Sequence, residues 1–416
     1  MASAPASMFD VVVIGGGPAG TAAALTLLKY SSLKVAVLER STYSTWRVGE
    51  SLSPGAAGLL RYLGAWENFV AQGHIPSYGT SAAWGGPEIM ARDFLFTGRG
   101  SGWHLDRRRF DQSLASLVAA RGGLLMTDAI VEREARCKDK KGWRLFIKQG
   151  TGGTREQLSA RFVIDASGKQ AAFARRRGAR GRIGDQLMGV VGVYSFSSSG
   201  APDSFTVVES GQLGWWYSAA LPEGRMAVAF MSDADIIRRN HLHQSQAWLD
   251  LLAATRYTQR RLVSAELQGA PEVCPAYSQI LEPIAGDGWI AAGEAAAGFD
   301  PLSAMGIGYA LVSGIEAARA VHDALTGDGT QLASYSANVA RHYATYRARQ
   351  LQYYSMERCW PDSPFWARRQ IGILPVRFAP SPVENEFRRC PDRDDYAAGL
   401  PVAEFTPNAS RTARYP

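Results

Sequence analysis

Apolar and polar positions fall along this chain in blocks, and the blocks predict three kinds of element. Residues 9–14 are a β-branched run that ends at Gly15-Gly16-Gly17-Pro18-Ala19-Gly20. An Ala- and Leu-rich stretch with helical spacing, 21–29, follows, and a second apolar run, 34–38, stops at Glu39. Strand, glycine turn, helix and strand make one βαβ unit. Two later runs, RFVIDASG from Arg161 and WIAAGEAAAGFDP from Trp289, each end in a glycine-bearing turn and should join the same sheet. Between them, residues 186–231 read as consecutive strands with short turns, which predicts an antiparallel sheet. Residues 331–370 turn helical, with Tyr335, Tyr343, Tyr346, Tyr353 and Tyr354 set among arginines as packing residues. The last 35 or so residues are Pro-rich and charged, and read as extended or partly disordered.

Composition narrows the class. The chain has 416 residues, 46% apolar and 20% charged, with 43 Gly and 20 Pro. Gly and Pro stay below the roughly 25–30% of low-complexity chains, and the length allows two or more domains of roughly 100–200 residues. No apolar run approaches the roughly 18 residues that span a bilayer, and the first residues lack a basic secretory start. The four cysteines, Cys137, Cys274, Cys359 and Cys390, are scattered without a C-x-x-C pair. A cytoplasmic, membrane-free setting without a metal cluster is the expectation. The net charge of +7 is carried largely by arginine in discrete blocks, 107–109, 175–177 and 368–369. No recognition motif accompanies them, so they read as solvated faces and not as a nucleic-acid surface. Attraction for an anionic cofactor or an acidic partner stays open.

The glycine turn carries the first chemistry. Gly15-x-Gly17-x-x-Gly20 supplies a tight turn, a close approach for a pyrophosphate and helix–strand packing, and the helix start offers free amides to phosphate. Glu39 stands where a carboxylate accepts ribose hydroxyls. Dinucleotide binding follows, with NAD and FAD both open at this point.

Downstream segments resemble the flavin-dependent aromatic hydroxylase and halogenase superfamily. Asp165-Ala166-Ser167-Gly168 resembles its Asp-Gly element, and Gly293-Glu294 with Asp300-Pro301 and Gly306-Ile307-Gly308 resembles its Gly-Asp…Asp-Pro…Gly-x-Gly element, with Glu in place of Asp. Arg47-Val48-Gly49-Glu50-Ser51 resembles a cofactor-contacting loop of the halogenase branch, and Arg107 follows Trp103-His104-Leu105-Asp106 where an arginine faces the cofactor. The resemblance implies an α/β fold: a Rossmann-type FAD-binding domain (1–74, 100–184, 272–330), an antiparallel-sheet substrate domain (75–99, 185–271), a C-terminal helical region (331–380) and a tail (381–416). It implies FAD held by Gly15, Gly17, Ala19, Gly20, Glu39, Arg40, Arg47, Ser51, Arg107, Asp165, Gly168, Gly293, Glu294, Pro301, Gly306 and Ile307.

The branch is decided by what is missing. Tryptophan halogenases use a lysine downstream of the Gly-Glu-Ser element and a glutamate after the Asp-Pro-Leu turn. This chain has no lysine between Lys34 and Lys138, with residues 76–78 in the approximate place, and Ser303 replaces the glutamate. A scaffold without these groups implies a monooxygenase, which hydroxylates an aromatic ring through a flavin C4a-(hydro)peroxide formed with O₂. The Gly-Trp-Trp-Tyr-Ser strand from Gly214 and the segment from Cys359 to Trp366 look like the branch that matures cysteine tryptophylquinone, by hydroxylating a peptidyl tryptophan in the small subunit of quinohemoprotein amine dehydrogenase. The implied partners are a tryptophan-bearing polypeptide, O₂, and NAD(P)H or a separate flavin reductase. A small-molecule indole or phenol hydroxylase, a halogenase-like enzyme, and a non-catalytic flavin-binding assembly factor are the alternatives.

Catalytic candidates are His104, Glu50 and Ser303. His104 is a base candidate, with a hydrogen-bonded structural histidine as the alternative, and His74 borders the same region. Glu50 either polarises a substrate N–H or supports the cofactor loop. Trp84, Trp103, Trp215, Trp216 and Tyr217 are candidates for an aromatic cage. Trp215 and Trp216 must face opposite sides of a strand, so only one of them lines the pocket.

Overall fold

A run such as Val11-Val12-Val13-Ile14 has no polar face and must be covered on both sides, as a central parallel strand is. The computed structural model, which describes residues 7–370 apart from 99, 138–141, 151, 198–202 and 328, puts it there. Strand Ser7–Ile14 lies between Thr154–Asp165 and Val35–Leu38, parallel to both, and Trp289–Ala291 and Leu124–Met126 extend the sheet on either side. Ile14 stands opposite Asp165 and Leu38, and Asp165 stands opposite Ala291. The strands therefore end at one level. Gly15, Glu39, Ala166 and Ala292 are the first residues past the carboxyl edge, where open α/β sheets bind ligands.

Helix Pro18–Tyr30 leaves the glycine turn, buries its first ten residues and packs on helix Gly306–Thr326. Glycine permits that approach: a Cβ on Gly314 would collide with the Ala19 carbonyl, and one on Gly293 would fall 2.6 Å from the Ala19 Cβ.

The consecutive strands form a second, eight-stranded sheet, in which Leu187–Phe196, Arg225–Asp233, Gly214–Leu221 and Phe205–Gly211 are antiparallel neighbours. Gly79–Ala83 joins Phe205–Gly211 in parallel and carries Met90–Asp93 on its outer side. Two expected boundaries shift. Glu272–Pro275, expected in the cofactor domain, pairs with Leu187–Phe196 in the second sheet. Ile75–Ser77, expected in the substrate domain, joins a three-stranded sheet with Ser51–Leu52 and Gly102–His104. Periodicity shows that a strand exists, but the sheet that takes it is chosen by distant partners.

Helices Thr330–Met356 and Pro364–Gln370 make up the C-terminal helical part; residues 371–380 and the expected tail 381–416, with Cys390, lie outside the described residues. Tyr335, Tyr343, Tyr346 and Tyr354 are buried there. Packing is only part of their role, because Tyr335 donates to the Ala291 carbonyl (2.8 Å) at the end of a central strand. No helix among the described residues is long and apolar enough to cross a membrane.

Candidate active site

Gly15 adopts φ +109°, and a Cβ there would collide with the Ala166 carbonyl. Gly20 is pressed as closely on the Gly15 carbonyl, whereas a Cβ on Gly17 would meet nothing within 4 Å. The turn is therefore sealed toward the protein at 15 and 20 and open outward at 17. Ala19, 6% exposed, lies in the first turn of the helix, whose amides and dipole favour an anion.

Glu39 is buried beside this turn. Its Oε2 accepts from Gly16 N (2.7 Å), and its Oε1 accepts from Ser41 N (2.9 Å), Ser41 Oγ (2.6 Å) and Arg47 Nη2 (2.9 Å). Burial acts to raise this carboxyl, but those hydrogen bonds and the Arg47 charge outweigh it and hold the group below the usual range. Arg47 also reaches Asp111 Oδ2 (3.3 Å), and Arg107 grips the same carboxylate through Nε on Oδ1 (3.1 Å) and Nη2 on Oδ2 (3.0 Å). One buried carboxylate thus holds Arg47 and Arg107 side by side, and Arg107 Nη1 donates to the Val48 carbonyl (2.9 Å). Arg40 lies farther out, on Gln170 (3.3 Å).

Asp165, expected to contact the cofactor, is fully buried and turned inward. Its Oδ1 accepts from Ser167 N and Oγ (3.0 and 2.6 Å), and its Oδ2 from Phe173 N and Ala174 N (2.9 and 2.8 Å). Its work is to fold the 166–168 turn over Gly15. Gly168, at φ +71°, ends that turn, with nothing within 4 Å of where its Cβ would be. Past Gly293, the half-exposed Glu294 pairs with Lys169 Nζ (3.2 Å). Pro301 opens a short turn in which Asp300 Oδ1 accepts from Leu302 N (2.9 Å) and Ser303 Oγ donates to the Asp300 carbonyl (2.7 Å). Ser303, a catalytic candidate by sequence, braces this turn. Gly306 and Ile307 then start the helix, and a Cβ on Gly306 would point into open space.

The Asp300 turn is clamped from behind. Asp300 Oδ2 accepts from Tyr354 OH and Gln350 Nε2 (both 2.7 Å), and Asp300 N donates to Tyr346 OH (2.8 Å). Burial raises the Asp300 carboxyl above its usual range. Tyr354 OH in turn accepts from Trp215 Nε1 (3.0 Å), which ties the turn to the second sheet.

That sheet and the two C-terminal helices together build an aromatic wall. Trp84, Trp215, Tyr354 and Trp366 pack edge-on or tilted, with Trp84 centroids 5.7 Å from Tyr354 and 5.2 Å from Trp366. Trp84 and Trp215 are buried in this cluster and are its foundation. Partly buried side chains, among them Trp46, Tyr217, Leu302, Met356 and Trp360, pack against it. Two expected cage members belong elsewhere. Trp216 faces the other side of its strand and packs on Phe230 and Trp248 (4.9 and 5.3 Å), as core. Trp103 packs on Phe69 and Trp66 (5.3 and 5.6 Å) beneath the small sheet.

The histidines are structural. His104 has no exposure, its Nε2 meets Thr206 Oγ1 (2.9 Å), and burial pulls its pKa down to about 3. Full burial and the Thr206 contact favour the structural alternative for His104. His74 accepts from Asp106 N (3.3 Å), and burial takes its pKa down to about 4. Glu50 is different. Its Oε2 accepts from Gly49 N (2.6 Å), and burial raises its carboxyl. Tyr217 OH stands 2.8 Å from Ser51 Oγ. Ser51, the neighbour of Glu50, and Tyr217, taken separately by sequence, thus meet beside the aromatic cluster. Sequence reasoning missed Trp46, Leu302 and Met356 there; Trp46 adjoins the Arg47 element, but no local pattern marks the other two.

Residues 8–348 match the FAD binding domain family. The chain belongs to that family. LodB of Marinomonas mediterranea, provisionally named an FAD-dependent oxidoreductase, is 31% identical over 375 residues, which span 87% of this chain and 96% of LodB. The chondrochloren halogenase CndH, from a myxobacterium, shares the fold with a TM-score of 0.80 at 22% identity, over 89% of this chain and 87% of CndH. QhpG, a peptidyl tryptophan dihydroxylase essential for tryptophylquinone cofactor biogenesis, shares it with a TM-score of 0.66 at 23% identity, over 90% of this chain and 80% of QhpG. The protein is an FAD-binding oxidoreductase that shares its fold with a halogenase and with a peptidyl tryptophan dihydroxylase, and its cofactor is FAD. The site suits that group: Gly17, Gly168 and Gly306 leave open what a Cβ would fill, and glycine turn and Gly306 helix start belong to the same edge.

Proposed function

We propose that this family member is a monooxygenase that hydroxylates a tryptophan ring held in a polypeptide, a step in maturing cysteine tryptophylquinone. The observation that carries the reading is a cluster of buried aromatic side chains against which both Leu302 of the Asp300 turn and Tyr217 pack, with Tyr217 on Ser51 next to the buried Glu50 carboxyl. No lysine stands at residues 76–78, and Ser303 is spent on its own turn, so the groups that halogenation uses do not stand at those places. The likeness to LodB and the fold shared with QhpG support the choice.

Bound and reduced, FAD would supply one oxygen atom from O₂ to the ring, with electrons from NAD(P)H or a separate reductase. Gly15, Gly17, Ala19 and Gly20 would hold the pyrophosphate, and Glu39, Arg40 and Arg47 the adenosine end. Gly168, Gly293, Glu294, Pro301, Gly306 and Ile307 would border the flavin, with Arg107 and Ser51 bracing the loop across from it. The helix starting at Gly306 directs its amide dipole toward that place, which favours negative charge there. Trp46, Leu302, Met356 and Trp360 would flank the substrate ring and exclude water.

The test is to incubate reduced holoenzyme under ¹⁸O₂ with a tryptophan-bearing partner polypeptide and with free tryptophan. A gain of one or two labelled oxygens on the polypeptide, with little product from the amino acid, is expected. Remote contacts should lower the barrier, so a truncated substrate loses turnover as well as affinity. Rapid labelling of free tryptophan alone would instead favour a small-molecule hydroxylase. Flavin oxidation that no substrate accelerates would favour an assembly factor.

A further inference from the structure

We propose that the cavity between strands Arg180–Ile183 and Gln279–Glu282 and helix Thr330–Met356 is an effector site: a small acid with an apolar body binds there and, through the Asp300 turn, tightens the hold on FAD. The proposal goes beyond the hydroxylase reading and depends only on FAD as cofactor. The cavity measures about 660 Å³, within the roughly 300–1,000 Å³ of small-molecule sites. None of the residues that line it is among those assigned to FAD. Buried Ile280, Leu281 and Ile284 form its floor, and Ala340 and Ala344, exposed one turn apart on the helix, form a low wall. Such a lining favours an apolar body.

The rim calls for a negative head. Arg182 is exposed there and meets no carboxylate among the described residues. Glu282, the acidic residue of the lining, stands opposite Arg180 on the paired strand instead. The Tyr343 hydroxyl makes no hydrogen bond among the described residues and lies beside the Arg347 guanidinium: a Cβ on Gly184 would fall 2.9 Å from the hydroxyl and 3.1 Å from the guanidinium carbon. Burial raises the Tyr343 phenol, with Arg347, Asp185 and Arg182 near enough to act on it, so the hydroxyl keeps a proton to donate. An arginine fork beside a phenol O–H matches a carboxylate.

Arg347 also ties the rim to the cofactor side. Its Nη1 donates to Asp185 Oδ2 (3.1 Å) and to Gln350 Oε1, and its Nη2 to the Gly184 carbonyl (3.1 Å), which leaves the remaining guanidinium donors for a ligand. Gln350 Nε2 donates in turn to Asp300 Oδ2 (2.7 Å). A second route runs from Asp185 Oδ1 to Ser278 N (3.2 Å), from Ser278 Oγ to Tyr346 OH (2.6 Å), and on to Asp300 N (2.8 Å). A carboxylate on Arg182, Tyr343 and Arg347 fixes the head of both routes. Side chains ordered by the acid need not be ordered again when FAD binds, so the two affinities rise together.

Calorimetric titration of holoenzyme with 4-phenylbutyrate and with octanoate distinguishes an aromatic from an aliphatic body, and 4-phenylbutan-1-ol is the uncharged counterpart. At least one acid should bind, and the alcohol about 10- to 100-fold more weakly, as for a lost hydrogen bond to a charged group. Arg182→Ala should weaken the acid by a similar factor and leave FAD affinity without acid unchanged. Ala344→Trp, an exposed substitution that fills the groove, should abolish acid binding in a protein that stays yellow. The dissociation constant of FAD, from free-flavin fluorescence of diluted holoenzyme, should fall about 5-fold or more at saturating acid, and Ala344→Trp should lose that response. Failure of both acids to bind, an alcohol that binds as tightly, binding that survives Ala344→Trp, or an FAD affinity that saturating acid leaves unmoved would each overturn the effector site.

Discussion

At the scale of single residues, the three fingerprint glycines separate into two physical classes. Gly15 and Gly20 are required by the fold, because any Cβ there strikes backbone. Gly17 faces open space, so only a ligand can object to a side chain there. Gly17→Val should therefore fold with an unchanged far-ultraviolet spectrum and lose FAD, while Gly20→Ala should fail in both respects; a yellow Gly17→Val protein would contradict this cofactor placement. His104 makes a second case. Its folded pKa, about 3, lies below the ordinary 6.5, so its stability contribution is present above 6.5 and is lost as pH falls from there toward 3. By pH 5 the loss is about 2 kcal/mol, at roughly 1.4 kcal/mol per unit. Glu50 and Asp300, raised by burial, act in the opposite sense, so the effect is read as a difference. The melting temperature should fall less steeply between pH 7 and 5 in His104→Gln than in the wild type, and equal slopes would refute it.

At the scale of elements, legibility follows sequence distance. The βαβ unit, the glycine turn and Glu39 were readable because each is a local pattern with a local cause. The burial of His104 was not, because Thr206 on a strand 102 residues away caps it. The same holds for the meeting of Ser51 and Tyr217, and for Asp165, whose motif implied a cofactor contact although its four hydrogen bonds all stay within the chain. Least legible was the clamp on Asp300, whose donors lie 50 and 54 residues downstream, on a helix that reads as ordinary packing. Tyr354→Phe should leave a buried carboxylate short of a donor and the Trp215 N–H without its acceptor. A cost of about 1.5–3 kcal/mol is expected for a hydrogen bond to a charged group. Urea unfolding should show it as a lower midpoint, accompanied by weaker FAD retention; a change in neither would mean that the clamp is redundant.

At the scale of the whole molecule, charge is less free than composition suggests. Arg176 and Arg177 both hold Glu134 (2.8 and 2.7 Å), and Arg368 and Arg369 hold Asp233 (2.9 and 2.6 Å), so these arginines are paired with carboxylates even where, like Arg176, Arg177 and Arg368, they lie on solvated faces. The scaffold shared with halogenases makes halide a direct test of branch: reduced holoenzyme with bromide should give no brominated indole, and enzyme-dependent bromotryptophan would show that another residue does the work of the lysine. The clamp on Asp300 also bears on how the protein is made. The first glycine turn and Glu39 are synthesised by residue 39, yet the clamp on the Asp300 turn, begun by Tyr346, is completed by Gln350 and Tyr354. A ribosome adding about 5–20 residues per second delivers these two groups long after the glycine turn. Nascent chains cut short before them should emerge without flavin, and the yellow colour of a preparation then reports how many of its chains were finished.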